Sequence, residues 1–205
     1  GWVYGFAFAG TYLYWIYSTC RFALIPPPIA FIAWAALAAL MALSWAAFAG
    51  LAREARGAWP LSVWPWACAA LWAAIEFALS GTNLGLAKLE YSQWRHLAWI
   101  QPTSWAGPHA LGALVMLANA ALAAWYLERA GGGEWRRSLS PAARRLLPST
   151  ALAALALAVW WSHGAWTLAR AGGSEGAMPA GARDKTVAIL QPNVDQYQKW
   201  DENYV

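Results

Sequence analysis

Ala151-Leu-Ala-Ala-Leu-Ala-Leu-Ala-Val-Trp-Trp161 runs for eleven residues without a charged, amide or hydroxyl side chain. A helix on the surface of a soluble domain keeps a polar face, because its apolar residues recur every three to four positions and leave the others to water. This stretch has no such face. Outward from it, five blocks are long enough to cross about 30 Å of hydrocarbon, which takes about 20 residues of helix. They lie near 2–19, 28–51, 59–79, 108–127 and 148–169, the first being rich in Tyr and Gly. Prolines open or precede several of them, as at Pro28, Pro108 and Pro148, where a missing backbone N–H costs nothing.

Composition agrees with a membrane bundle. Hydrophobic residues make up 60% and charged residues 12%, against about half and about a quarter in soluble domains. Seventeen tryptophans suit a protein with two membrane–water interfaces, which Trp favours. The net charge of +4 is a flanking-loop bias, since no basic patch is interleaved with exposed aromatics as nucleic-acid binding requires. Cys20 and Cys68 both fall in apolar segments and read as small buried hydrophobes.

Lys and Arg counts set an expected orientation. Loops after the second and fourth spans carry Arg53, Arg56, Arg129, Arg136, Arg137, Arg144 and Arg145; those on the other side carry only Arg21, Lys88 and Arg95. The arginine-rich side is expected to be cytoplasmic, and the tail after the fifth span extracytoplasmic. That tail opens with a Gly/Ala/Pro linker over 171–184. It continues as Lys185-Thr-Val-Ala-Ile-Leu-Gln-Pro-Asn-Val194 and Gln198-Lys-Trp-Asp201, a soluble β-strand running into a polar turn. The expected organisation is a helical bundle over 1–170, a linker over 171–184 and the start of a soluble domain over 185–205.

A few polar residues stand in apolar surroundings. Glu76 lies near the end of the third span, where a carboxylate costs several kcal/mol unless paired or hydrated. Two readings stay open: a functional or paired group, and an interfacial Glu reaching headgroup water. Asn119, mid-span, is expected to hydrogen-bond between helices. His163, beside Trp160 and Trp161, reads as part of the aromatic belt. His96 and His109 share no Cys or carboxylate at ligand spacing, so no metal site is expected. Loop 81–107 mixes Lys88, Glu90, Arg95 and His96 with Tyr91, Trp94, Trp99 and Trp105, which suits a segment at headgroup level. It reads either as a lip over a lipid-accessible site or as an ordinary interfacial loop.

Together these residues resemble apolipoprotein N-acyltransferase, the bacterial membrane enzyme family that completes lipoproteins. Glu76-Phe77, then Gly81, then Tyr91-Ser-Gln93 is similar to that family's Glu-Phe … Gly … Tyr-Ser-Gln run. Gly107 with Asn119 is similar to the next helix of the family. Val187-Ala-Ile-Leu-Gln-Pro-Asn-Val194 with Gln198-Lys-Trp-Asp201 resembles the first strand and turn of its nitrilase-like domain. There are departures: the Gly that usually precedes Tyr-Ser-Gln is Glu90, and residues 82–90 read Thr-Asn-Leu-Gly-Leu-Ala-Lys-Leu-Glu where the family has a Gly-Phe-Pro-Trp type motif.

The resemblance implies an α-helical polytopic bundle followed by the first strand of an α/β nitrilase-like domain, in the bacterial inner membrane with that domain in the periplasm. By analogy with the family's eight spans, the chain would be a fragment holding spans three to seven, inactive alone. The implied reaction has two halves. A Cys thiolate takes an acyl chain from a phospholipid as a thioester, and the N-terminal amine of a diacylglyceryl-cysteine lipoprotein then attacks it, with a Glu base and an oxyanion-stabilising Lys. Those three catalytic groups are expected beyond the end of the chain, so no residue here is catalytic, and no cofactor is implied. Trp200 matches a family position at the mouth of the active site; it and Glu76 are the candidate substrate-binding residues, with packing of the first turn the other reading of Trp200. The expected partners are the phospholipid donor, the diacylated apolipoprotein acceptor and the membrane, and no nucleic acid. A membrane-anchored nitrilase-type amidohydrolase and a non-enzymatic polytopic protein are the alternatives.

Overall fold

The computed structural model describes residues 1–82, 88–130 and 141–172, and every regular element among them is helical. The helices are α1 (Trp2–Tyr12), α2 (Tyr14–Phe22), α3 (Pro27–Ala58), α4 (Trp64–Leu79), the short α5 (Leu97–Ile100) and α6 (Thr103–Ala106), α7 (Pro108–Ala130) and α8 (Pro141–Gly172). A 3-10 helix, Leu89–Gln93, precedes α5. The expected strand at 185–194, and Trp200 with it, lie outside the described residues.

Local chemistry sets most helix ends. Ala-rich α3 has the highest intrinsic helix propensity available and starts with Pro27 and Pro28 in its first turn. It stops because Pro60 forces its predecessor out of the helical region; Trp59 is extended at φ −124°, ψ 150°. Gly107, at φ +79°, turns the chain from α6 into α7 through a conformation that costs other residues dearly.

Among the described residues, three helices are long and apolar enough to cross a membrane: Pro27–Ala58, Pro108–Arg129 and Arg144–Ala171. These correspond to the second, fourth and fifth expected spans. The third is α4, whose 16 residues make about 24 Å at 1.5 Å per residue. The first expected span is divided between α1 and α2 at Leu13 (φ −94°, ψ 10°), whose side chain is fully buried with Ala9, Ala38 and Met41. The fifth begins earlier than expected: Pro141 takes the first position of α8 and Pro148 lies inside it.

The bundle forms around α3, α4 and α7, with α1 and α2 on α3, and α8 on α7 and α5. Tryptophan does more here than mark interfaces. Trp34 Nε1 donates to Gly10 O (2.9 Å), joining α3 to α1; Trp64 Nε1 donates to Ala52 O (2.8 Å), joining α4 to α3. Trp66 Nε1 reaches Ser149 Oγ (3.0 Å) from α4 to α8, and Trp160 Nε1 donates to Trp99 O (2.7 Å) from α8 to α5. In hydrocarbon, apolar burial between helices gains little over contact with lipid. An indole supplies a large packing face and one directional donor together. Cys68 is buried as expected, whereas Cys20 is half-buried.

Candidate functional site

Glu76 is one turn from the end of α4, His109 is the second residue of α7, and Glu90 sits in the 3-10 helix of the connecting segment. The fold brings these three to one end of the bundle, with a ligand-capable atom of each within 4.8 Å of the others. Both carboxylates are buried, each 5% exposed. The reading in which Glu76 reaches headgroup water is therefore corrected: it is buried, with the 3-10 helix Leu89–Gln93 against it. Glu76 Oε1 accepts the Leu89 N–H at 3.1 Å, which ties that segment to α4.

Ser80 assigns the hydrogens. It lies just past the end of α4, where the last carbonyls lack helical donors, and its hydroxyl donates to Glu76 O at 2.8 Å. A hydroxyl has one proton and two acceptor sites. Lys88 Nζ (3.3 Å) and His109 Nε2 (2.9 Å) are the two groups that point at Ser80 Oγ. His109 Nε2 accordingly carries a hydrogen, and in the neutral ring Nδ1 is the bare nitrogen. An edge-on contact with Phe77, 6.0 Å between ring centroids, supports this orientation.

His109 Nδ1 faces Glu76 Oε2 at 4.0 Å and Glu90 Oε1 at 3.8 Å, too far for direct hydrogen bonds. Among the described residues, Nδ1, Glu76 Oε2 and both oxygens of Glu90 have no hydrogen-bond partner. Four atoms that can donate electron pairs thus converge, in a place where unpaired charge is expensive. Lys88 is hydrogen-bonded to Ser80 and, among the described residues, only His109 comes within ion-pair distance of either carboxylate. Gly112 makes the room: a Cβ there would lie 2.5 Å from Glu76 Oε2 and 2.9 Å from Glu90 Oε2.

A cavity of about 30 Å³ adjoins Glu76, lined by Ser44, Trp45, Trp72 and Lys88 among others; that is room for about one water molecule. A second, of about 560 Å³, lies between α4, α7 and α8 and is almost wholly apolar, with Ala69, Ala113, Leu114, Leu117, Ala156 and Val159 in its walls. Small side chains on three helices hold it open, and Trp105 and His163, with rings 5.7 Å apart, stand beside it. His163 is therefore an aromatic-cluster residue of this cavity.

Two readings from sequence are revised. Asn119 donates to Val115 O (2.8 Å) inside its own helix and is exposed, so it makes no interhelical bond. His96 and His109 part company, because only His109 reaches the carboxylates. The pairing of Glu90 with Glu76 and the opening at Gly112 are not legible in sequence because the three residues lie on separate elements, and only the folded connection aligns them. The one signal was Glu90, a carboxylate where the resemblance has Gly.

The family model for the apolipoprotein N-acyltransferase N-terminal domain matches residues 1–121, which include α1 to most of α7 and every member of the Glu76–Glu90–His109 cluster. No curated protein and no solved structure matches the chain. With more than half of its length matched, this chain belongs to the apolipoprotein N-acyltransferase family through that N-terminal domain.

Proposed function

We propose that the chain is the membrane part of an enzyme that moves an acyl chain from a phospholipid, through a cysteine thioester, to the N-terminal amine of a diacylglyceryl-cysteine lipoprotein. Family membership carries this reading, and the apolar cavity between α4, α7 and α8 supports it. Its volume of about 560 Å³ falls in the range of sites that enclose small ligands, and its lining suits a hydrocarbon chain rather than a polar substrate. The thioester chemistry belongs to a nitrilase-like domain beginning near residue 185, with Trp200 near its mouth. We place that domain outside the cytoplasmic membrane of a bacterium.

The decisive assay uses the complete gene product, a phospholipid donor and a diacylated lipopeptide, with N-acylation read as a mass shift. Transfer is expected; hydrolysis of donor or amide without transfer would establish the amidohydrolase alternative. In the same assay Ala156→Trp, which fills the cavity, is expected to cut transfer by about tenfold or to favour shorter acyl chains, as a lost methylene-sized fit does in apolar pockets. An unchanged rate and chain preference would remove the cavity from the mechanism.

Orientation has its own test. Trp94, 64% exposed in the segment between α4 and α7, is replaced by Cys in a chain whose Cys20 and Cys68 are Ala. An impermeant maleimide is expected to label it in spheroplasts without permeabilisation. Labelling only after lysis would reverse the topology.

A further inference from the structure

We infer that Glu76, Glu90 and His109 form a binding site for one divalent transition-metal ion of the zinc class, clamping the 3-10 helix onto the ends of α4 and α7. The inference stands on this cluster and is independent of acyl transfer.

Valence carries the argument. Ser80 uses its single proton on Glu76 O and receives His109 Nε2, which turns the bare Nδ1 toward the carboxylates. The cluster is then one imidazole lone pair and three unpartnered carboxylate oxygens, all buried. Such a set calls for positive charge, as an ion or as shared protons, and among the described residues no Lys or Arg nitrogen lies within 4.0 Å of either carboxylate. The spacing suits an ion better than a direct contact. Two ligands about 2.1 Å from a tetrahedral ion stand about 3.4 Å apart, so the His109 Nδ1 separations of 4.0 and 3.8 Å close by about half an ångström as the ion seats. The three ligand atoms all lie within 4.8 Å of one another, a span that rotation of the two Glu side chains closes.

Donor type selects the ion. One imidazole nitrogen with two carboxylates suits Zn²⁺ and its neighbours better than Ca²⁺ or Mg²⁺, which take oxygen ligands alone. Three protein ligands leave a fourth position open. Ser80 does what an outer partner of a metal-bound His does, holding the far ring nitrogen and so the tautomer and ring angle. His109, 23% exposed, is the accessible edge through which an ion would enter. Gly112 completes the site by letting both carboxylates lie against the bare backbone of α7.

The test uses the whole chain in detergent, without a polyhistidine tag, stripped with chelator and then titrated with Zn²⁺ and, for its visible spectrum, Co²⁺. One equivalent of Zn²⁺ is expected, and Co²⁺ should show the absorption bands of a low-coordinate site with a nitrogen ligand. Glu90→Gln and His109→Gln should each weaken binding by about 100-fold or more, since even outer partners such as Ser80 are worth 10- to 100-fold. A readout needing no variant is hydrogen exchange in the wild-type chain: Zn²⁺ should slow exchange at the Leu89 amide, which is bonded to Glu76 Oε1. No stoichiometric binding by the wild type would overturn the site and leave a proton shared between the carboxylates. Wild-type affinity in both variants would put the ion elsewhere, and a Leu89 exchange rate unchanged by Zn²⁺ would do the same.

Discussion

Gly164→Ala is expected to lower the melting temperature of the detergent-solubilised chain by about 6–12 °C, from about 3 kcal/mol of overpacking at about 2–4 °C per kcal/mol. The position lies in α8 where α5 crosses it. A Cβ there would stand 1.8 Å from Ala98 O and 2.7 Å from Ala98 C, and both are backbone atoms with no rotamer to escape into. Relief requires α5 to lift away from α8, which stretches the 2.7 Å bond from Trp160 Nε1 to Trp99 O in the same joint. Alanine improves helix propensity by about 1 kcal/mol over glycine, so the clash must exceed that gain. Gly50→Ala is the control: it sits in α3 with nothing within 4 Å of the added carbon, and it should be neutral or slightly stabilising. A melting temperature for Gly164→Ala equal to that of Gly50→Ala would show that α5 does not dock on α8 as described.

Trp72→Ala is the second large effect, expected to cost about 3–5 kcal/mol. Trp72 is 2% exposed on α4 and faces two rings of α3. Its centroid lies 4.4 Å from that of Trp45 and 5.3 Å from that of Phe48, the latter ring perpendicular. It shares a cluster with Cys68 of its own helix and with Met116 and Ala120 of α7, so one side chain joins three helices. Lipid is as apolar as the side chains, and what is lost is close packing rather than shelter from water. Trp72→Phe keeps most of the ring contact and removes the indole N–H. It should cost only about 1.5 kcal/mol. Unfolding in a mixed-micelle denaturant series separates the two variants; equal losses for Ala and Phe would mean that the indole N–H, not the packing, holds the joint.

Much of the fold was legible in the chain. Apolar runs without a polar face, such as 151–161, require a helical solution, since hydrocarbon leaves backbone groups no other partner. Pro27, Pro60, Gly107 and Pro108 mark real helix ends because their effect on φ and ψ is local. Less legible were features set by long-range packing. The break at Leu13 has no proline or glycine at the residue itself; the buried position of that side chain among Ala9, Ala38 and Met41 accompanies it. Pro148 reads as a start because proline favours the first turn, yet the residues from Pro141 onward already continue the helix.

By itself, the sequence determined that this is an apolar helical chain of the apolipoprotein N-acyltransferase family, because burial preference, helix ends and short family motifs are carried by neighbouring residues. Only the tertiary structure decided what Glu76 faces. Its partners Glu90 and His109 are 14 and 33 positions away, and the Gly112 that admits them lies on another helix. A charge inside a membrane announces that it must be compensated, and the compensation depends on which distant side chains the folded backbone brings within about 4 Å of it.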